Sequence, residues 1–161
     1  MSGSSNYKPV GGVSRAVLHF ADTLGGAEFS AEGCRIDFEE EGLEVELVDD
    51  ASTYDERMSV EKGRLLIEHT LHLVARRDAA APWLDEAFAE RLLYDGVVAE
   101  VELNDGRHLV VGCSAALYDE QPLRLAGLAV ESGAALREQP RVTLDLVARD
   151  KALSAIILNE T

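Results

Sequence analysis

The chain has 161 residues, 47% of them apolar and 28% charged, which is typical of one globular domain rather than of a disordered or membrane-embedded protein. Its 15 basic and 30 acidic residues give a formal net charge of −15. Because a surface that grips nucleic-acid phosphates needs positive charge, this balance argues against direct nucleic-acid binding.

The first twelve residues are rich in serine, glycine and asparagine and are predicted to form a flexible arm. Residues 13–161 are then expected to make up a single β-rich domain. The arm contains no apolar segment typical of a signal peptide. The longest apolar runs are about six residues, against the ~20 needed for a membrane-spanning helix. We therefore expect a cytoplasmic protein without membrane association.

Alternating apolar and polar side chains predict a strand over Val13–Phe20 and a loop over residues 22–26. The clearest alternation lies on both sides of Glu40-Glu41-Gly42 and predicts a hairpin of residues 34–39 and 43–47. Four carboxylates then share its solvent face and form a candidate acidic working face, namely Asp37, Glu39, Glu44 and Glu46. Like charges on paired strands repel, so the fold tolerates this cluster and is not stabilised by it.

Residues 49–60 are polar and are predicted to form a long loop or an extended β-arm. Uncovered segments of this length often serve a partner. The candidate subunit-contact residues of this arm are Asp49, Asp50, Tyr54, Asp55, Arg57 and Met58. Renewed alternation predicts the next strand over residues 65–74.

One helix is predicted over residues 82–94. Pro82 suits the first helical position, and Asp85 and Glu86 complement the helix dipole in the first turn. Leu84, Phe88 and Leu92 recur at helical spacing and form an apolar stripe.

Four further strands, and one strand or short helix, are predicted in the second half of the chain. Asn104-Asp105-Gly106 is a strong turn signal and predicts a hairpin of residues 97–103 and 107–115. Residues 123–132 and 142–148 read as two more strands, while residues 152–158 fit a strand or a short helix, with the strand favoured. The predicted core residues are Ile36, Phe38, Val45, Leu47, Phe88, Leu92, Val101, Leu109, Leu144 and Leu146.

These elements predict a mainly β fold, an antiparallel barrel or sandwich of about seven or eight strands with one flanking helix near residues 82–94. No alternation of strands and helices is present that would build a parallel sheet.

Residues capable of chemistry are few and scattered. His69 and His72 form the closest histidine pair, but an odd spacing on a strand places them on opposite faces, so no metal site is expected. Cys34 and Cys113 are read as buried thiols, with a single disulfide left open. No nucleophile elbow or phosphate-binding loop is present, and we expect no enzymatic activity and no cofactor.

Three stretches resemble small proteins encoded by bacterial prophages: residues 8–13 (KPVGGV), residues 121–125 (QPLRL), and residues 131–133 (ESG) followed by 139–144 (QPRVTL). The order of elements is also similar to phage tail-tube-like proteins. This resemblance implies a small β-barrel or sandwich with one helix, whose subunits stack as hexameric rings around a lumen. It implies no catalytic residue.

Two hypotheses for function follow. The first is a non-enzymatic phage-type assembly protein whose partners are other copies of itself and other phage structural proteins. In such a ring the acidic working face is the candidate lumen, because negative charge repels DNA phosphates. The second is a β-barrel module that binds a small ligand or a protein, with Trp83, Phe88 and Tyr94 near its pocket.

Overall fold

The structure is a computed structural model that describes residues 12–115, 121–131 and 140–158. The described residues form eleven strands: β1 (Val13–Phe20), β2 (Leu24–Ser30), β3 (Gly33–Phe38), β4 (Leu43–Val45), β5 (Thr53–Glu61), β6 (Arg64–Arg76), β7 (Val97–Leu103), β8 (His108–Val111), β9 (Arg124–Glu131), β10 (Arg141–Asp150) and β11 (Ala155–Ile156). Two helices, α1 (Arg77–Ala80) and α2 (Glu86–Tyr94), lie between β6 and β7.

The strands form three antiparallel sheets. The central sheet has the order β11-β8-β7-β1-β4, a four-stranded sheet has the order β5-β6-β10-β9, and β2 and β3 form a two-stranded sheet. The predicted mainly β class is therefore confirmed, in its sandwich form, since the sheets do not close into a barrel. The strands outnumber the predicted seven or eight chiefly because β2, which begins inside the predicted loop, and β5, which realises the β-arm alternative for residues 49–60, are both strands.

The main core lies between the central and the four-stranded sheets. One face of β7, with Val97, Ala99, Val101 and Leu103, packs against side chains of β6 and β10 such as Leu144. Alternation places these residues on one face of each strand, and each large side chain removed from water contributes about 1.5–3 kcal/mol.

A second, smaller core covers the opposite face of the central sheet. Val98 on β7 and Val110 on β8 pack there against Cys34 and Ile36 of β3. Both faces of β7 and β8 are thus covered, which explains why Val97-Val98-Ala99 and Leu109-Val110-Val111 are continuous apolar runs instead of alternating ones.

The predicted hairpin of residues 34–39 and 43–47 is wrong. β3 pairs with β2, where Ala27 lies opposite Ile36, and β4 pairs with β1, where Ala16 lies opposite Val45. The Gly-containing link between them therefore changes sheets instead of closing a turn. The predicted loop over residues 22–26 is likewise wrong at its end, because β2 begins at Leu24 and a register shift between Leu24 and Gly26 interrupts its alternation.

The predicted helix begins later than expected. The Asp85 side chain accepts a hydrogen bond of 2.7 Å from the Phe88 backbone amide, so Asp85 is the N-cap and α2 starts at Glu86. Pro82 lies before the cap, in a turn that follows α1. The end of the helix at Tyr94 is confirmed.

Seven of the ten predicted core residues are buried, and the other three, Phe38, Leu47 and Phe88, are partly buried and pack against the two cores. On α2 the fully buried anchor is Leu92, and Phe88 lies at its side between Phe20 and Trp83.

We predict that Leu92→Ala lowers the free energy of unfolding by about 2–5 kcal/mol, because it opens a cavity at a fully buried position. Its neighbour Leu93 is exposed and provides the matched control, for which Leu93→Ala should change stability by less than about 0.5 kcal/mol. Urea unfolding measures both; equal losses would show that α2 does not dock by this face.

Candidate interaction surfaces

The hairpin of β5 and β6 extends beyond the sheet that carries it. β10 pairs with β6 from Arg76 to Ile67, whereas β5 and β6 continue to pair as far as Glu61 and Arg64. The hairpin is closed by Lys62 and Gly63, with φ of 51° and 76°. Positive φ at both central residues is the pattern of a tight type I′ turn, so the tip is a regular hairpin.

The core-facing row of this hairpin changes from buried to exposed as it leaves the sandwich. Leu71 and Ile67 on β6 are buried, but farther along the same face Leu65 is 49% exposed. On β5 the corresponding row runs from buried Tyr54 to Met58 and Val60, which are 53% and 72% exposed. Three large apolar side chains thus continue the core face into solvent; we call Met58, Val60 and Leu65 the tip row.

Basic side chains also cluster at the end of the β5–β6 hairpin. A concavity of about 450 Å³ at the hairpin end is lined by Lys62, Arg64, Arg149 and Lys151 together with a single acidic side chain, Glu61. In a chain of net charge −15 this is a local reversal of sign.

The predicted contact arm of residues 49–60 is therefore a turn followed by a strand, which corrects the loop alternative and agrees with the β-arm alternative. Asp49 and Asp50 form the exposed turn, and Asp55, Arg57 and Met58 are exposed on β5. Tyr54 is not available to a partner, since it belongs to the main core.

The second surface is a groove of about 430 Å³ between β3 and the outer face of the central sheet. We call it the acidic groove, because carboxylates dominate its lining, namely Asp37, Glu40, Glu41, Glu44 and Glu100. Its cationic residue, Arg15, is paired with Glu44 at 3.3 Å. The groove exists because β3 covers β7 and β8 but leaves β4 and the adjoining part of β1 uncovered.

His19 forms the wall of the acidic groove. Its ring stacks on Phe38 with centroids 3.6 Å apart, and its Nε2 donates a 2.5 Å hydrogen bond to Glu100. That hydrogen bond is the main cause that lowers the pKa of Glu100. The side chain is 7% exposed, and its Nδ1 is the one buried side-chain polar atom of the described residues that has no hydrogen-bond partner.

The predicted acidic working face is only partly assembled. Asp37 and Glu44 do line the same groove, although they come from different sheets. Glu39 and Glu46 are exposed outside its lining. Sequence reasoning missed Glu100, and the available signal was the charged Glu100 and Glu102 within an otherwise apolar β7.

A buried polar network ties the C-terminal segment to the four-stranded sheet. His69 Nδ1 and the Tyr54 hydroxyl are hydrogen-bonded at 2.6 Å, and His69 Nε2 donates to the Ala152 carbonyl at 3.0 Å. The hydroxyls of Tyr54 and Ser154 are also hydrogen-bonded, and the Ser154 amide donates to Glu56 at 2.8 Å. Burial raises the pKa of Tyr54, which keeps its hydroxyl protonated as a donor.

This network contains a serine, a histidine and a carboxylate, but its geometry is not that of a nucleophilic triad. A triad needs the nucleophile and the orienting carboxylate on different ring nitrogens. Here Ser154 Oγ and Glu56 Oε2 both lie 3.3 Å from Nδ1, and the backbone carbonyl of Ala152 occupies Nε2. The arrangement therefore acts as a structural clamp on residues 152–154.

Other predicted positions have ordinary surroundings. His72 contacts Asp145 at 2.5 Å on the opposite face of β6 from buried His69, as its spacing predicts. Cys34 and Cys113 are free thiols in the smaller core, and burial raises the pKa of Cys113 to about 11.

Within residues 12–115, 121–131 and 140–158, no group of three or more His, Cys, Asp and Glu could hold a metal ion. No helix of these residues is long and apolar enough to cross a membrane.

We predict acid sensitivity that depends on Glu56. Burial of this carboxyl opposes ionisation, but hydrogen bonds from His69, the Ser154 amide and Tyr54 outweigh it and lower the pKa to about 2. The folded pKa lies below the unfolded value of ~4.3, so the stabilisation is complete above pH ~4.5 and is lost as the pH falls toward 2.

Glu56→Gln should therefore cost about 1–3 kcal/mol at neutral pH, and its difference from the unmodified chain should shrink below pH ~4.5. Urea unfolding between pH 7 and 2.5 measures this. Asp55→Asn, on the exposed face of the same strand, is the control and should show no such gap. A Glu56→Gln deficit that is constant with pH would contradict the assignment.

Comparison of the chain with protein families, with curated proteins and with solved structures found no match. The surfaces and the network described above are therefore the basis on which a function can be assigned.

Proposed function

We propose that this protein is a non-enzymatic assembly subunit that associates with copies of itself through the β5–β6 hairpin. The observation that carries this proposal is the tip row, where the core-facing side of the hairpin continues past the end of the sandwich. Isolated exposed apolar side chains are common, but an ordered row on one strand face leaves apolar area that a second subunit can bury.

The edge of β5 supports the same proposal. Among the described residues β5 pairs with β6 on one side, and a single bridge from Gly12 to Thr53 reaches its other edge. A nine-residue strand with an open edge offers backbone donors and acceptors to another chain. Charged side chains on its outer face, such as Asp55 and Arg57, restrict which chains can approach.

The assembly that we favour is of phage type, a tail-tube-like ring made in the cytoplasm, with other phage structural proteins as further partners. The support is the resemblance in sequence motifs and element order, together with a charge of −15, which repels a nucleic acid passing through a ring instead of binding it.

The alternative of a small-ligand module built on the aromatic side chains has weaker support. Trp83 and Phe88 pack against each other with centroids 5.0 Å apart and against the main core, while Tyr94 is largely exposed. These side chains do not face one another across an open space.

We predict that Val60→Thr/Leu65→Thr weakens self-association at least about tenfold, because two apolar side chains lose most of their transfer free energy. Threonine retains the β-branched shape of Val60, is compatible with a strand at both positions and adds no charge. Val130→Thr is the control, since Val130 is exposed to a similar degree on β9 at the other edge of the same sheet.

Sedimentation velocity over a wide range of protein and salt concentrations measures the effect. Higher salt should favour assembly overall by screening the net negative charge, over about 10 Å at 0.1 M. A chain that stays monomeric under all conditions, or a tip-row variant that assembles like the unmodified chain, contradicts the proposal. Point variants are preferable to deletion of residues 49–58, which would also remove Tyr54 from the core.

A further inference from the structure

The acidic groove is chemically suited to a cation that carries N–H donors. Its five carboxylates face one guanidinium, which Glu44 already engages. His19 adds a more specific feature, because its Nε2 donates to Glu100 and its buried Nδ1 has no partner. In the neutral ring with its proton on Nε2, Nδ1 keeps a lone pair, which adds to the negative potential that attracts an ammonium or guanidinium group.

Gly42 packs closely against this edge of the His19 ring. A Cβ placed on Gly42 would lie 2.7 Å from His19 Nδ1 and 2.6 Å from Val17 Cγ1. Any larger residue would therefore place its side chain over the unsatisfied nitrogen. The glycine leaves only backbone beside the edge of the imidazole.

A metal ion is a poor occupant for this groove. The described residues contain no cluster of three or more histidines, cysteines and carboxylates in ligating positions, even though the groove holds many carboxylates. The carboxylates are instead spread over β3, the link that follows it, β4 and β7. This arrangement suits an extended cationic side chain better than a spherical ion.

The same chain presents a complementary group at the hairpin tip. Lys62 occupies the exposed turn and Arg64 begins β6 beside it, so that two cations stand beyond the end of the sandwich. The groove volume of about 430 Å³ is within the range of pockets that enclose small organic groups, and it can admit such side chains.

Tip and groove lie on different sheets of one chain, so their pairing joins two copies head to tail. Such a heterologous contact uses two different patches and generates closed rings or open filaments, depending on the rotation between subunits. Opposite charges also orient the encounter between molecules that otherwise repel each other.

We propose that the acidic groove of one subunit receives the β5–β6 tip of a second copy, with Lys62 and Arg64 on the groove carboxylates that surround His19. This inference rests on the proposed self-association and names the surface that receives the hairpin. It also places Asp37 and Glu44 in a subunit contact instead of in a lumen.

Charge reversal at constant ionic strength tests the pairing. Lys62→Glu/Arg64→Glu reverses the tip, and Glu40→Lys/Glu41→Lys reverses two exposed groove residues that lie outside the strands. Each variant alone should lose self-association at least about tenfold, and an equimolar mixture should regain it, because each tip then meets a groove of opposite sign. One chain with all four substitutions should also associate.

Net charge is controlled by Glu32→Lys/Glu90→Lys, which reverses two exposed carboxylates outside the groove. This variant has the same net charge as the groove-reversed chain but keeps the native tip and the native groove, so alone it should associate like the unmodified chain. Sedimentation velocity and circular dichroism report association and folding for every variant.

The outcomes separate the two proposals. If the unmodified chain never associates, the proposed function fails and the pairing fails with it. If the chain associates and Val60→Thr/Leu65→Thr weakens it, but charge reversal has no effect or the mixture shows no recovery, self-association stands and the groove assignment is overturned. Loss of association in each reversed chain, recovery in their mixture and in the fourfold variant, and unchanged association of the Glu32→Lys/Glu90→Lys variant support the pairing.

Discussion

The structure depends on the central sheet being covered on both faces. The four-stranded sheet packs on one face through the main core, and the β2–β3 pair packs on the other through Val98 and Val110. Hydrophobic burial drives both contacts, and the covering layers need not match the central sheet in extent. Both candidate surfaces arise at this mismatch. The tip row lies where the β5–β6 hairpin extends beyond the sandwich. The acidic groove lies where the two-stranded β2–β3 sheet does not cover β4.

The C-terminal segment holds these layers in place. The His69 network anchors residues 152–154 to β5 and β6, β11 then pairs with β8, and Ile157 bridges to Cys34 of β3. One short segment therefore touches all three sheets. A buried network of this kind is stabilising only while every member is hydrogen-bonded, so the ionised state of Glu56 affects more than its own strand. The segment thereby links the sheet that carries the hairpin to the sheets that form the groove.

The hairpin end and the acidic groove carry charges of opposite sign. A net charge of −15 keeps copies of the chain apart, yet the hairpin end concentrates basic side chains and the groove concentrates carboxylates. Salt then has two opposite effects, because it weakens the overall repulsion and also weakens the local attraction. The proposed assembly should therefore be sensitive to ionic strength, and the tip row would supply apolar contact that salt does not screen.

The sequence by itself determined the strands with strong local signals. Alternation located β1 and β6, Asn-Asp-Gly located the β7–β8 hairpin, and odd spacing separated His69 from His72, because each signal acts within a few residues. Only the tertiary structure decided which strands pair, since register and partner depend on burial of faces far apart in the chain. It therefore separated β3 from β4, brought Glu100 and His19 beside Asp37 and Glu44, and drew Tyr54 out of the predicted arm into the core.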